Sequence, residues 1–105
     1  MKSLDELAEG IINNKSNSNK NIAEHLIKLQ EESGELAVAY LMSKNKKGHS
    51  KTKKEIEDNF LEEACDCILV LLSLLGKAKY TKKEAVEMLY KKREKYNANR
   101  KKYGF

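Results

Sequence analysis

With 105 residues, no proline and five glycines, the chain has the size of one domain, near the length at which a second copy helps to complete a core. Charged residues make up 35% and aromatics only 7%, which suits long amphipathic helices better than a sheet. The formal net charge is +5, and the longest apolar run, "CILVLLSLL", is far short of the roughly 20 residues that cross a bilayer.

The opening "MKSLDELAEG" is acidic and amphipathic where a signal peptide would carry an apolar stretch. Ser3 and Glu6 stand at capping-box spacing and start a first helix, "LDELAEGIIN", with Leu4, Leu7, Ala8, Ile11 and Ile12 on one face. The polar run "NNKSNSNKN" ends it. Asn21 and Glu24 repeat the capping spacing, and a second helix is predicted from Ile22 to about Ser43, with Ile22, Leu26, Leu29, Leu36 and Tyr40 as its apolar stripe.

A basic loop (44–54) follows, "SKNKKGHSKTKK", with six lysines and no acid. Such loops are usually solvated linkers, although beside carboxylates one could help to hold a polyphosphate. A third helix is expected from about Lys54 to Leu75, striped by Ile56, Phe60, Ala64, Ile68, Leu71 and Leu75 and closed by Gly76. Beyond Ile68 it is apolar nearly all round, so it is expected to be covered on more than one side, with a second subunit as the cover. Cys65 and Cys67 point to nearly opposite sides of that helix and cannot pair with each other. Only His25 and His49 could join them at a metal, too few for a structural zinc site, so both are expected as buried free thiols in a reducing cytoplasm. Thr81 and Glu84 form a capping box for a fourth helix, "KKEAVEMLYKKREKYN", which is expected to fray into a basic tail (97–105). The fold class is therefore all-α, a four-helix bundle-like single domain over 1–105.

Two of these helices share an unusual feature. "LQEESGELAVAYL" carries Glu31, Glu32 and Glu35, and "FLEEACDCILVLL" carries Glu62, Glu63 and Asp66. At 100° per residue each trio spans an arc of about 100°. Like charges at these spacings cost an isolated helix about 0.2–0.5 kcal/mol per pair, and facing trios raise one another's pKa. A hard cation between them relieves both costs. Oxygen-only ligands select Mg²⁺, Mn²⁺ or Ca²⁺ over zinc or copper. Gly34, which costs about 1 kcal/mol relative to alanine in a helix interior, would admit a close neighbour, either a helix or a nucleotide. A single E-E-x-x-E is commonly just a solvated helix face, and nearby lysines could neutralise either trio. His25 is expected on a helix side or boundary, and His49 in solvent.

The pair "EESGE" and "EACD", in that order and followed by "KYNANRKKYG", resembles the MazG-type all-α nucleoside triphosphate pyrophosphohydrolases over about residues 20–104. The 27 residues between the two acidic motifs make a long spacer for that family. The resemblance implies Mg²⁺-dependent hydrolysis of a nucleoside triphosphate to the monophosphate and pyrophosphate, with Mn²⁺ as a substitute, in a homodimer or homotetramer. It implies Glu32, Glu35, Glu63 and Asp66 as metal ligands and Glu31 as a water-orienting carboxylate, with Glu62 a further candidate. Lys95, Asn97 and Arg100 would meet phosphates or base across a subunit interface. No tryptophan is present to stack a base, which leaves Tyr40, Tyr90 or Tyr96 for that role.

Two alternatives stand beside this reading. "LLGKAKYTKKEAVEMLYKKR" is similar to the C-terminal stretch of phosphoribosyl-ATP pyrophosphohydrolases, but that group has a Tyr-His pair where this chain has Ile68 and Leu69. A non-catalytic helical module whose lysines meet nucleic acid would suit the net charge. Acid in mid-helix opposes it, so nucleic acid is not the expected partner; nor is a membrane.

Overall fold

The computed structural model describes residues 3–14, 21–44 and 52–104. Four helices make up the fold, α1 (Leu4–Asn13), α2 (Ile22–Lys44), α3 (Lys53–Lys77) and α4 (Lys82–Tyr103), with no strand among the described residues. The chain is all-α, as its periodicity predicts. The lysine-rich loop with His49 and the polar run after α1 lie largely outside the described residues.

Each helix start is fixed by a side chain that replaces a missing intrahelical acceptor. Ser3 Oγ accepts the Glu6 N–H at 3.1 Å, and Asn21 Oδ1 accepts that of Glu24 at 2.8 Å. Thr52 Oγ1 accepts the Glu55 N–H at 3.1 Å. At α4 both halves of the capping box form, Thr81 Oγ1 accepting from Glu84 N–H and Glu84 Oε1 accepting from Thr81 N–H.

Two helix ends differ from expectation. Gly76 does not close α3; it is buried within the last turn, the helix runs on to Lys77, and the chain reverses through Lys79 at φ 69°. The stretch from 97 does not fray either. It stays helical to Tyr103, where Gly104 at φ 77° forms a left-handed cap and donates its N–H to the Arg100 carbonyl.

α2 and α3 form the main helix pair, α1 packs on α3, and α4 packs chiefly on α1. Lys82 fastens α4 to α1 through Asp5 at 2.7 Å and Glu9 at 3.7 Å. The radius of gyration is 16.8 Å, against about 13 Å for a compact domain of this length.

The core differs from the predicted stripes. Among the described residues only Ile12 and Ala39 are buried hydrophobics, and α4 has no buried residue. In α2 the buried positions are His25, Glu32 and Ala39, seven apart, while Ile22, Leu26 and Tyr40 of the expected stripe are exposed. A seven-residue repeat is the spacing of a seam between two helices packed side by side. Phe60, Ile68 and Leu71 of α3 are likewise exposed, as are Leu89, Tyr90 and Tyr96 of α4. The cysteines are free, but Cys65 is exposed rather than buried, and Cys67 is half-buried.

Candidate metal centre

The seam between α2 and α3 brings the acidic motifs together. Glu32 lies near the middle of α2 and Glu63 near the middle of α3, at matching depths in an antiparallel hairpin. Glu32, Glu63 and Asp66 each offer a carboxylate oxygen, and these atoms all lie within 4.8 Å of one another. A cation on α2 approaches the cluster. Lys28 Nζ reaches Glu32 Oε1 at 3.1 Å and Glu31 Oε2 at 3.5 Å.

That cation satisfies one oxygen of Glu32 and leaves the other. Glu32 is 6% exposed, and its Oε2 is buried with no hydrogen-bond partner; the same holds for Glu63 Oε2. A buried unsatisfied polar group costs about 1–3 kcal/mol, and more when charged. Two such oxygens in one cluster of ligand atoms fit a cation that takes oxygen donors, as Mg²⁺ or Mn²⁺ does.

The electrostatics carry the same signature. Burial pushes the Glu63 carboxyl above its ordinary pKa, and a hydrogen bond with Glu35 adds to this, as do the charges of Glu35, Asp66 and Glu32. Glu35, one helical turn beyond Glu32, therefore joins the cluster from α2 although it is otherwise exposed. Burial also raises the Cys67 thiol, helped by the carboxylates of Glu32, Asp66, Glu63 and Glu35. A thiol held protonated in this way is a weaker nucleophile than a free cysteine.

Of the residues singled out in the sequence, the hairpin unites Glu32, Glu63 and Asp66, with Glu35 at the edge. Glu31 and Glu62 are exposed beside them, Glu31 paired with Lys28. Lys95, Asn97 and Arg100 are exposed on α4, which packs on α1 and does not bring them to the carboxylates within one chain. His25 is buried at the start of α2, its Nδ1–H donating to the Asn21 carbonyl at 2.9 Å. Gly34 faces open space, with nothing within 4 Å of where a Cβ would stand. Sequence reasoning did not single out Lys28; the K-x-x-E-E spacing of Lys28, Glu31 and Glu32 was the available signal, since residues three and four apart meet on a helix.

Comparison of the chain with protein-family models, with curated proteins and with solved structures finds no match. No helix among the described residues is long and apolar enough to cross a membrane.

Proposed function

We propose that the chain is a Mg²⁺-dependent nucleotide pyrophosphohydrolase of the MazG-like type, converting a nucleoside or deoxynucleoside triphosphate to the monophosphate and pyrophosphate. One observation carries this reading: the convergence of Glu32, Glu63 and Asp66 with two buried, unpartnered carboxylate oxygens. The order of the acidic motifs and the basic ending on α4 support it.

In this reading Glu32, Glu63 and Asp66 hold the ion, with Glu35 as a fourth ligand. Held there, a divalent ion would neutralise phosphate charge and favour departure of pyrophosphate. Glu31 and Glu62, outside the ligand cluster, are the carboxylates available to orient a water and take its proton. The water oxygen bonds to the phosphorus of the nucleoside-bearing phosphate, the bond from that phosphorus to its bridging oxygen breaks, and pyrophosphate leaves with the electron pair. Lys95, Asn97 and Arg100 would bind phosphate or base from α4 of a neighbouring chain.

The test is a panel of nucleoside and deoxynucleoside triphosphates, with phosphoribosyl-ATP included, assayed with Mg²⁺ for pyrophosphate against orthophosphate. Glu35→Ala and Asp66→Ala are expected to abolish pyrophosphate release while remaining helical. Wild-type rates in both variants would remove the assignment. A second reading rests on α4, an exposed helix with nine lysines and arginines against three glutamates, which could meet nucleic acid. A salt-dependent DNA shift that persists in EDTA, without turnover, would favour it.

A further inference from the structure

The two carboxylate oxygens of Glu32 are in different situations. Oε1 accepts from the Lys28 ammonium at 3.1 Å, whereas Oε2 is buried without a partner. One oxygen is thus engaged and the other is open. Lys28 stands one helical turn before Glu32 on α2, where residues four apart meet. The same ammonium reaches Glu31 Oε2 at 3.5 Å, so two carboxylates of one helix hold it at the edge of the cluster.

Helix stability does not account for this pair. On a helix the favourable order places glutamate four residues before lysine, and the reverse order found here contributes less. What the bond changes is how Glu32 can hold an ion. With Oε1 engaged, Glu32 offers a single oxygen; without Lys28 both oxygens are available and the carboxylate can chelate. That difference separates hard cations. Ca²⁺ takes about 6–8 oxygens at roughly 2.3–2.6 Å and readily accepts both oxygens of one carboxylate. Mg²⁺ demands a near-ideal octahedron at roughly 2.0–2.1 Å and keeps several waters. Single oxygens from Glu32, Glu63 and Asp66, which lie within 4.8 Å of one another, suit the smaller ion.

We propose that Lys28 is a positioning residue that limits Glu32 to one-oxygen ligation and thereby sets the cluster for Mg²⁺ over Ca²⁺. This rests on the reading of the cluster as a metal centre. The lysine charge has a second effect, repulsion of any divalent ion, but it acts on Mg²⁺ and Ca²⁺ alike and cancels in the ratio of their affinities. The number of oxygens that Glu32 supplies does not cancel, so the ratio isolates the positioning role.

Calorimetric titration of the full chain with Mg²⁺ and with Ca²⁺ tests this in the wild type, Lys28→Met and Lys28→Arg. Methionine keeps an unbranched apolar stem and cannot donate; arginine keeps a charged donor. The wild type is expected to bind Mg²⁺ more tightly than Ca²⁺. In Lys28→Met that preference is expected to fall by about tenfold or more, the low end of what losing a ligand's hydrogen-bond partner costs. Lys28→Arg is expected to restore most of it. A preference unchanged in Lys28→Met, with both affinities shifted equally, would overturn the proposal, as would an equal fall in both variants or a wild type that prefers Ca²⁺. Binding of neither ion by the wild type would remove the metal centre and this proposal together, whereas binding with an unchanged ratio removes the proposal alone. No readout depends on turnover.

Discussion

Gly76 of α3 lies directly against the backbone of Ile12 in α1. A Cβ built on Gly76 would overlap the Ile12 carbonyl oxygen and stand 2.9 Å from its carbonyl carbon. These are backbone atoms, which cannot swing aside as a side-chain tip can. The glycine therefore sets how closely α1 approaches α3, and that approach buries Ile12 to 1% exposure.

Gly76→Ala should push α1 away and open the space around Ile12. Overpacking of this kind costs typically about 1–3 kcal/mol, and each kcal/mol lowers the Tm of a domain this size by roughly 4–8 °C. Amide exchange should locate the damage, with α1 losing protection before the α2–α3 hairpin. Unchanged exchange across α1 would show that the contact contributes nothing.

The attachment of α4 rests on Lys82. Its hydrogen bond to Asp5, together with the charges of Asp5 and Glu9, raises the lysine pKa above its usual value despite the opposing effect of burial. A lysine whose folded pKa is raised contributes stability in full below its unfolded pKa, and that contribution is lost as pH rises through the folded one. The Lys82 contribution should therefore persist through neutral pH and disappear only in strong alkali. Lys82→Ala should loosen α4 at pH 7, raising amide exchange over its first turns. At a pH above the folded lysine pKa the variant and the wild type should match; a difference that persists there would assign the effect to packing instead of charge.

Much of the fold could be read from local pattern. Ser3, Asn21 and Thr81 with their glutamates three residues on mark three helix starts, because capping chemistry is local. Thr52 with Glu55 has the same spacing, but the lysine run around it reads as loop and moves the expected start to Lys54. The end of α4 departs from expectation for a similar reason: a run of lysines looks like a solvated tail, yet lysine and arginine are good helix formers, and Gly104 supplies the cap. The core was less legible. Apolar spacing put Leu26 and Tyr40 inside, whereas the inner seam of α2 holds His25, Glu32 and Ala39. Periodicity reports that a side is apolar without saying whether the covering surface belongs to the same chain. The carboxylate cluster was legible as a pair of motifs, but that Glu32, Glu63 and Asp66 form its centre, with Glu31 turned to Lys28, depends on where the hairpin seam runs.

The raised pKa of Glu63 gives a pH dependence of the same sign as that of Lys82, but in an acidic window instead of an alkaline one. Burial and the neighbouring carboxylates favour the protonated form, so the folded state binds more protons than the unfolded state just above the ordinary glutamate pKa. Stability of the metal-free chain should fall as pH rises from the unfolded glutamate value through the raised one. Urea denaturation in EDTA across mildly acidic to neutral pH measures this. The slope should be shallower in Glu63→Gln, and an identical slope in both proteins would place its origin elsewhere.

A divalent cation should reverse that penalty, because it binds the assembled cluster and not the separated helices of the unfolded chain. At 100 times its Kd a ligand of the folded state stabilises by about 2.7 kcal/mol, so saturating Mg²⁺ or Mn²⁺ should raise the Tm of the wild type by several degrees. Glu63→Gln separates this effect from general stabilisation. Without metal the amide removes one of the crowded charges, and the variant should be at least as stable as the wild type at neutral pH. With metal it should gain little, because an uncharged amide is a poor ligand for a hard cation. The variant should thus lead in EDTA and lose that lead in Mn²⁺. Equal gains in both proteins would mean that the ion binds elsewhere on the surface.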